Sequence, residues 1–351
     1  ICKSAKISAQ LANTQLLELI ADHQLLASKI LSASKALAWQ QEVAVYIDAC
    51  QKRLAISKQT DADIASILSL GEKLSAALIS LAIQQAGKNC NWLCSEGLIK
   101  TTGSYLNSRV DNFATAQCFA DLNKDYPRLK ITVITGFSAS NQKGQTTLLG
   151  RNASDYSAAI VAKFTGSESV ELFGDTAGIL SADPDYVPGA NTIAKLSFSD
   201  ALQLAKSGSG VLHPRTVEPL FGTTISLTLS ELHQDGSTWI CSDIAQRVQS
   251  FIATWSPVAN PQLSKTPALP THLKRWQNNA PQASLISVFL AEHLDAKVCL
   301  KTLLQLAENA EITVLQYTHF SKQKSLAFSI ARHELERFTR LAHSALHPLH
   351  Q

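Results

Sequence analysis

The sequence predicts an α/β protein, built as a layered sandwich around a largely parallel sheet, with a smaller second unit toward the carboxyl end. Strand and helix patterns alternate through the middle of the chain, which is typical of a layered α/β fold. A proline-rich stretch, residues 256–270, separates this part from a pattern of strand, helix, two strands and helix. That pattern indicates a ferredoxin-like unit without its last strand, which is lost or is supplied by another segment or chain.

The larger unit accounts for roughly the first two thirds of the chain. Residues 15–92 are predicted to be helical, with a clear apolar stripe over 64–84 and Gly87 near its end. Residues 129–137 are β-branched and end in glycine, which predicts a buried strand that leads into a loop. The other expected elements are a polar loop over 138–150, a helix over 154–163, a strand over 169–173 and a loop over 175–189.

The smaller unit is expected to contain strands over 284–290, 312–318 and 325–331 and helices over 296–308 and 333–346. These elements suggest domain limits of 1–232 for the larger unit, 233–283 for a linker or crossing segment, and 284–351 for the smaller unit. The incomplete sheet would leave an open edge that can pair with a second copy of the chain. A homodimer is therefore expected.

Composition and charge exclude several classes of protein. The chain has 351 residues, 45% of them hydrophobic, which suits about two folded domains and argues against disorder. The formal net charge of +3 is small and its signs are mixed, which argues against a nucleic-acid partner. No run of 18 apolar residues or signal segment is apparent, so no membrane partner is expected. Seven irregularly spaced cysteines do not suggest a disulfide framework and favour a cytoplasmic location.

The segment that carries most chemical information is 135–158. A strand ends at Gly136, and a helix is expected to begin near Ser154, where free backbone N–H groups would favour an anion. Arg151 adds a planar fork suited to a carboxylate or phosphate, and Asp155 falls in the first helical turn, where an acidic side chain is stabilised. These residues predict either an anion-binding site or a capped helix with an Arg–Asp ion pair.

The same segment resembles the signature of the aspartokinase family, Gly-Arg-x-x-Ser-Asp-Tyr-Ser-Ala. Three further blocks resemble the family's motifs and occur in its order. The four blocks are Gly71-Glu72-Lys73-Leu74-Ser75, Gly150-Arg151-Asn152-Ala153-Ser154-Asp155-Tyr156-Ser157-Ala158, Gly174-Asp175-Thr176-Ala177-Gly178-Ile179 through Asp183-Pro184, and Val211-Leu212-His213-Pro214-Arg215-Thr216. The sequence Leu-Leu-Gly-Arg-Asn at 148–152 is similar to sequence found in bifunctional aspartokinase/homoserine dehydrogenases. Since no Gly-x-Gly-x-x-Gly motif is present, the chain would be the kinase portion of such a protein.

The resemblance implies an amino-acid-kinase-like three-layer sandwich followed by an ACT regulatory unit, here the βαββα pattern. It implies ATP-dependent phosphorylation of L-aspartate to 4-phospho-L-aspartate, the first step toward threonine, methionine and lysine. ATP and Mg²⁺ would be the cofactors, L-aspartate the small-molecule partner, and an amino-acid effector could bind the ACT unit.

The resemblance also implies roles for individual residues. Lys3 would contact the phosphates, and Asp155 would orient the catalytic groups around the phosphoryl. Glu72 would hold the α-amino group of aspartate, Arg151 would bind its carboxylate, and Ser154 would also belong to the substrate-binding residues. The nucleotide would be lined by Asp175, Thr176, Asp183 and Asp185. No metal-ligating residue is implied, because Mg²⁺ bridging two phosphates takes few protein ligands.

The sequence departs from the family pattern at three places. The family's Gly pair does not follow Lys3, Gly210 replaces a lysine, and Asp185 stands where the family has arginine beside the phosphates. A carboxylate there would repel phosphate, so weak ATP affinity is expected unless a cation such as Lys195 compensates. The alternative is that Asp185 points into solvent.

Two other functions therefore stay open. One is a different amino-acid-kinase-fold enzyme, such as one acting on glutamate or a nucleotide. The other is a catalytically impaired binding or regulatory module, which the substitutions at the phosphate-facing positions would suit.

Overall fold

A computed structural model describes residues 9–125, 131–150, 153–207, 212–232, 236–242, 249–255, 283–321 and 324–347. The chain forms two compact units, unit 1 over Ile1–Thr165 and unit 2 over Gly166–Gln351. The domain limits at residues 232 and 283 remain a prediction. The proline-rich stretch 256–270 lies outside the described residues.

Unit 1 begins with four helices. They are α1 (Ala9–Ile30), α2 (Ala33–Leu54), α3 (Asp61–Leu68) and α4 (Leu70–Gln85). The continuous helix expected over 64–84 is interrupted at Ser69, whose hydroxyl donates a hydrogen bond to the Ser66 carbonyl at 2.9 Å. Such a side-chain bond competes with the backbone ladder, and it places Gly71 and Glu72 in the first turn of a new helix.

The first four helices of unit 1 pack around a shared hydrophobic cluster. Trp39 is fully buried there, and its indole N–H donates to the Leu74 carbonyl at 3.0 Å, which satisfies its polar group. The stretch Asp61–Gln85 is long and apolar enough to cross a membrane by length and composition, but 61% of its most apolar window is buried inside the protein. Its buried leucines belong to the cluster, so we interpret its two helices, α3 and α4, as core helices.

The second half of unit 1 is an α/β arrangement. Its elements are β1 (Cys90–Leu93), α5 (Ser95–Leu98), β2 (Lys100–Gly103), β3 (Ser108–Val110), α6 (Asn112–Asp125), β4 (Ile131–Ile134), β5 (Ser138–Asn141), β6 (Thr146–Leu148) and α7 (Ser154–Thr165). Strand β1 pairs with β4 in parallel, and a four-stranded sheet has the order β3-β2-β5-β6 with β2 and β5 parallel. The helix expected from residue 154 is confirmed.

The polar loop expected over 138–150 was wrong, because β5 and β6 form an antiparallel hairpin there. Its hydroxyl groups are buried but paired. Thr147 and Thr101 lie 2.6 Å apart at their hydroxyl oxygens, and the Ser140 hydroxyl donates to the Glu96 carbonyl at 2.6 Å. Buried polar groups are tolerated when they are hydrogen-bonded, which allows a polar sequence to form an interior strand.

Unit 2 starts with a mixed sheet. Its elements are β7 (Ser169–Gly174), β8 (Lys195–Ser197), α8 (Phe198–Lys206), α9 (Pro214–Val217), β9 (Ser226–Glu231) and β10 (Ser237–Cys241). The strand order is β7-β9-β10-β8, with β7 parallel to β9 and β8 parallel to β10. The strand over 169–173 and the loop that follows it are as predicted.

The carboxyl-terminal part of unit 2 is a ferredoxin-like sheet covered by helices. Its elements are β11 (Phe251–Trp255), β12 (Ala283–Phe289), α10 (Ala296–Asn309), β13 (Val314–Phe320), β14 (Ser325–Ala331) and α11 (Leu335–Leu346). The antiparallel order β11-β12-β14-β13 shows that β11, upstream in the chain, supplies the strand that the βαββα pattern lacks. Since this edge is paired within the chain, the homodimer prediction loses its basis and remains only a prediction.

Candidate active site

The turn of Thr135, Gly136 and Phe137, here called the Gly136 turn, joins β4 to β5 in unit 1. Its backbone N–H groups are received by side chains from two helices. The Gly136 N–H donates to Oε2 of Glu72 at 2.9 Å, and the Phe137 N–H donates to Oγ of Ser157 at 2.9 Å. The turn is therefore fixed between the start of α4 and the start of α7.

Glycine is required at position 136 because the backbone passes directly against α7. A Cβ atom added there would lie 2.6 Å from Oγ and 2.9 Å from Cβ of Ser154. Phe137 has a φ of 42°, in the left-handed region, and its carbonyl accepts the Leu149 N–H at 2.9 Å. A strained backbone held by several bonds is common at functional sites.

The residue that follows Glu72 in the chain, Lys73, anchors this part of the helix. Lys73 is buried and its Nζ lies 2.9 Å from Oε1 of Glu96, while its ammonium lies 5.3 Å from the centre of the Tyr46 ring. This anchors the first turn of α4. Within the described part of the chain, Oε1 of Glu72 has no hydrogen-bond partner, so that oxygen can accept a bond from a ligand.

A group of buried hydroxyls supports the Gly136 turn. The Ser95 N–H donates to Oγ1 of Thr135 at 2.9 Å, and the Ser95 hydroxyl donates to the Ser138 carbonyl at 2.7 Å. Since all three residues are almost fully buried, each bond replaces one that water would otherwise make. The turn is thus supported from the protein interior as well as from the helices.

Ser154 and Asp155 occupy the first turn of α7 and are exposed. Desolvation by the surrounding protein nevertheless raises the pKa of the Asp155 carboxyl above its ordinary value. Exposure and desolvation are compatible when a carboxyl lies in a depression of the surface, open to water on one side. The exposed Asp155 carboxyl is therefore within reach of a ligand.

Lys3 and Arg151, the two cations that the sequence assigns to the phosphates and to the substrate carboxylate, lie outside the described residues. Their roles remain predictions. Gly150, immediately before Arg151, has a φ of 116°, a conformation that favours glycine.

The predicted nucleotide residues lie in unit 2 on the 175–192 loop, at the carboxyl end of β7. Asp175 and Thr176 are exposed there. Asp183 instead builds a turn, since its Oδ1 accepts the Asp185 N–H at 3.0 Å and its Oδ2 accepts the Thr254 hydroxyl at 3.3 Å. The loop therefore offers two exposed side chains at its start and a self-supporting turn at its far end.

Asp185 is exposed at this turn, as the solvent-facing alternative expects. Lys195, the cation suggested from sequence distance, places its ammonium 5.3 Å from the centre of the Trp239 ring. Two arginines of the ferredoxin-like part approach the turn instead. Arg340 donates from Nε to the Tyr186 carbonyl at 2.7 Å, and Arg332 interacts electrostatically with the Tyr186 side chain.

The back of the 175–192 loop is tied to α11 by a buried histidine. Nε2 of His343 lies 2.9 Å from Oγ of Ser181, which also accepts the Asn191 N–H at 3.0 Å. The His343 ring lies 4.5 Å from the ring of His347. Burial, and secondarily the charge of His347, lower the pKa of His343 to about 4.

The lowered pKa of His343 predicts that the folded protein loses stability in acid. The folded pKa of His343 lies below the unfolded value near 6.5, so the unfolded chain binds more protons, and stability present above pH 6.5 is lost as the pH falls toward 4. One proton contributes a slope of at most about 1.4 kcal/mol per pH unit. We expect His343→Gln to flatten the pH dependence of the unfolding free energy in this range, measured with urea, whereas His333→Gln at an exposed position should leave it unchanged. Equal slopes in wild type and His343→Gln would refute the assignment.

No group of three or more His, Cys, Asp or Glu residues in the described ranges could hold a metal ion. The carboxylates of the 175–192 loop do not converge on one point, since Asp183 is engaged in its own turn.

Two contacts between a side-chain hydroxyl and a backbone N–H were not expected from the sequence. Ser157 lies inside the family motif, but nothing in its type indicates that its hydroxyl receives the Phe137 N–H. Thr238 on β10 is fully buried and receives the Ile179 N–H at 2.7 Å. Only the folded backbone brings these partners together.

Comparison with known proteins identifies the family of the chain. Residues 12–229 match the model of the amino acid kinase family, so the chain belongs to that family. Within it, the curated relatives that the chain resembles include aspartokinases, which confirms the resemblance drawn from the four blocks.

Two relatives illustrate the match. The bifunctional aspartokinase/homoserine dehydrogenase of Haemophilus influenzae is 36% identical over 170 residues, covering 48% of this chain and 20% of that protein. The aspartokinase of Rickettsia prowazekii is 35% identical over 172 residues, covering 48% of this chain and 37% of that protein. The matched region thus spans well under half the length of these relatives.

The fold is that of solved aspartokinase structures. Escherichia coli aspartokinase III in complex with aspartate and ADP superposes with a TM-score of 0.72 at 19% identity, covering 94% of this chain and 86% of that one. The same enzyme in complex with lysine and aspartate gives a TM-score of 0.70 at 18% identity, covering 89% of this chain and 82% of that one. At these identities the likeness establishes the fold alone.

Proposed function

We propose that this protein transfers the γ-phosphoryl group of ATP to the β-carboxylate of L-aspartate. The observation that carries the proposal is the Gly136 turn, where the Glu72 carboxylate and the exposed start of α7 are held together within unit 1. These groups come from two of the blocks that resemble aspartokinases. The curated relatives are named for the same activity.

The charges of L-aspartate suit this arrangement. Its α-ammonium group would bind Glu72, whose Oε2 already accepts the Gly136 N–H and whose Oε1 can accept a ligand bond. A carboxylate of the substrate would take the N-terminus of α7, where free N–H groups and the helix dipole favour an anion. Arg151 would add its bidentate fork there.

The reaction needs positioning more than proton transfer. The acceptor carboxylate is ionised at neutral pH, so one of its oxygens can attack the γ-phosphorus without a general base. The bond from that phosphorus to the bridging oxygen breaks, and ADP leaves as 4-phospho-L-aspartate forms. Asp155 would orient the groups around the phosphoryl, and Lys3 would face the phosphates.

ATP would use the 175–192 loop. Ligands of open α/β sheets bind beyond the carboxyl ends of the strands, which is where Asp175 and Thr176 are exposed. Mg²⁺ bound to the β- and γ-phosphates would neutralise charge that develops during transfer. We further propose that the enzyme is cytoplasmic and that its reaction is the first step toward threonine, methionine and lysine. An amino-acid effector would bind the ferredoxin-like, ACT-type part.

An acceptor panel tests the proposal. The full chain is incubated with ATP and Mg²⁺ and either L-aspartate, L-glutamate, N-acetyl-L-glutamate or UMP, and ADP release is measured. We expect release only with L-aspartate. Release with acetylglutamate or UMP but not with aspartate would favour another enzyme of the family, and absence of ATP binding in calorimetry would favour the impaired binding module.

Asp185→Arg is expected to tighten ATP binding roughly 5- to 10-fold and leave the KM for L-aspartate nearly unchanged. The carboxylate would repel nearby phosphates, and replacing it by a cation would remove that repulsion and add an attraction, each worth about 0.5 to 0.7 kcal/mol at a screened surface. Calorimetric titration with ATP measures the change. Glu308→Arg, on exposed α10, makes the same change in net charge and should have no effect. An unchanged ATP affinity in Asp185→Arg would mean that the side chain points away from the phosphates.

A further inference from the structure

Within the 175–192 loop, backbone pairing joins residues 179–181 to residues 191–193, a few residues after Asp175 and Thr176. The Ile193 N–H donates to the Ile179 carbonyl at 2.8 Å, the Ser181 N–H donates to the Asn191 carbonyl at 2.8 Å, and Leu180 and Thr192 form an isolated antiparallel bridge. The loop is thus a two-legged structure whose legs run side by side for about three residues. Asp175 and Thr176 lie between the end of β7 and the first leg, so a contact that fixes both legs to the sheet also limits the freedom of these two residues.

The Thr238 hydroxyl makes such a connection. Its Oγ1 accepts the Ile179 N–H at 2.7 Å and donates to the Ile193 carbonyl at 2.7 Å. One hydroxyl therefore bonds to both legs of the loop. Thr238 is fully buried, so water cannot replace either bond if the hydroxyl is removed.

Close packing reinforces this contact. Gly178 has a φ of 93°, and a Cβ atom added there would lie 2.6 Å from Oγ1 and 2.7 Å from the backbone N of Thr238. On the other side, Gly236 has a φ of 126° and lies against Ala177. The loop backbone is therefore seated directly on β10, with glycines at the points of closest approach.

We propose that Thr238 is a positioning residue for the nucleotide, because it holds the 175–192 loop in the conformation that presents Asp175 and Thr176. The inference rests on the proposed function for the identity of the ligand. Asp175 lies only three residues before Gly178, so freedom at the base of the loop is transmitted to the exposed side chains. L-aspartate is assigned to unit 1, so its binding should not depend on this hydroxyl.

The test compares Thr238→Val, which keeps the side-chain shape and removes the hydroxyl, with Thr238→Ser, which keeps the hydroxyl. In the full chain without ligand, we expect hydrogen exchange in peptides spanning 178–193 to become at least about 10-fold faster in Thr238→Val. ATP affinity by calorimetry should weaken about 10-fold, the size of effect that loss of a buried hydrogen-bonding pair produces. The KM for L-aspartate should stay within about twofold, and Thr238→Ser should resemble wild type in all three measurements.

Thr228→Val on β9 is the matched control, because Thr228 pairs with Trp239 and so projects to the opposite face from Thr238. It should leave exchange and affinity unchanged. Unaltered exchange in Thr238→Val, or equal losses of ATP and aspartate binding, would overturn the inference.

If Thr238→Val does not fold, Thr238→Ala is measured in its place, and failure of both to fold would assign Thr238 to folding instead of positioning. If wild type binds no ATP, the proposed function fails, while faster exchange in Thr238→Val would still identify Thr238 as the residue that holds the loop.

Discussion

Glu72→Gln should raise the KM for L-aspartate about 100-fold while the KM for ATP changes little. Glutamine has the same shape and keeps a carbonyl oxygen that can accept the Gly136 N–H, now 2.9 Å from Oε2, so the Gly136 turn should persist. The variant loses the negative charge that would pair with the α-ammonium group. Hydrogen bonds to charged groups are worth about 1.5 to 3 kcal/mol, and the upper part of that range corresponds to 100-fold.

Steady-state kinetics with varied L-aspartate at saturating ATP measures this change. Glu18→Gln, on the exposed side of α1, is the control for loss of one negative charge. An unchanged KM for aspartate in Glu72→Gln would show that Glu72 only supports the turn. A fall in thermal stability with an unchanged KM would lead to the same conclusion.

Gly136→Ala should lower kcat/KM for L-aspartate at least about 100-fold. The new methyl group would lie 2.6 Å from Oγ and 2.9 Å from Cβ of Ser154, so either the Gly136 turn or the start of α7 must move. A displacement of about 1 Å in a catalytic group can cost about 100-fold in rate. Overpacking should also destabilise the fold by roughly 1 to 3 kcal/mol.

A double-mutant cycle isolates the steric cause. Ser154→Gly removes both atoms nearest to the new methyl group, so adding Gly136→Ala to Ser154→Gly should cost much less activity than adding it to wild type. Gly97→Ala is the control, since a Cβ atom there meets nothing within 4 Å. Additive losses in the cycle would mean that the alanine acts through something other than Ser154.

Much of the fold follows from local sequence patterns. The strand over 325–331 and the helix that begins at Ser154 occur where alternation and capping composition predict them. The hairpin of β5 and β6 was missed because its buried residues are mainly Ser and Thr. Their burial depends on hydroxyl partners such as Thr101 and Thr147. The periodicity of hydrophobic residues in the sequence does not reveal such partners.

Long-range pairing is the other source of error. The strand β11 precedes β12 in the chain by a long connection, yet it pairs with β12 where the last strand of a ferredoxin-like unit would lie. Sequence spacing alone left open whether this strand came from the chain or from a partner. The same limit applies to the site. Motifs predicted roles for Glu72 and Asp155, but the pairing of Thr238 with Ile179 and Ile193 exists only in the folded chain.

The most direct test of the central claim is chemical capture of the product. The full chain is incubated with ATP, Mg²⁺, L-aspartate and hydroxylamine, which converts an acyl phosphate to a hydroxamate, and the product is measured by mass spectrometry alongside ADP. We expect aspartate β-hydroxamate in equal amount to ADP, and loss of both in Glu72→Gln at low aspartate concentration. ADP release without hydroxamate, or no hydroxamate from a chain that binds both ATP and aspartate, would contradict it.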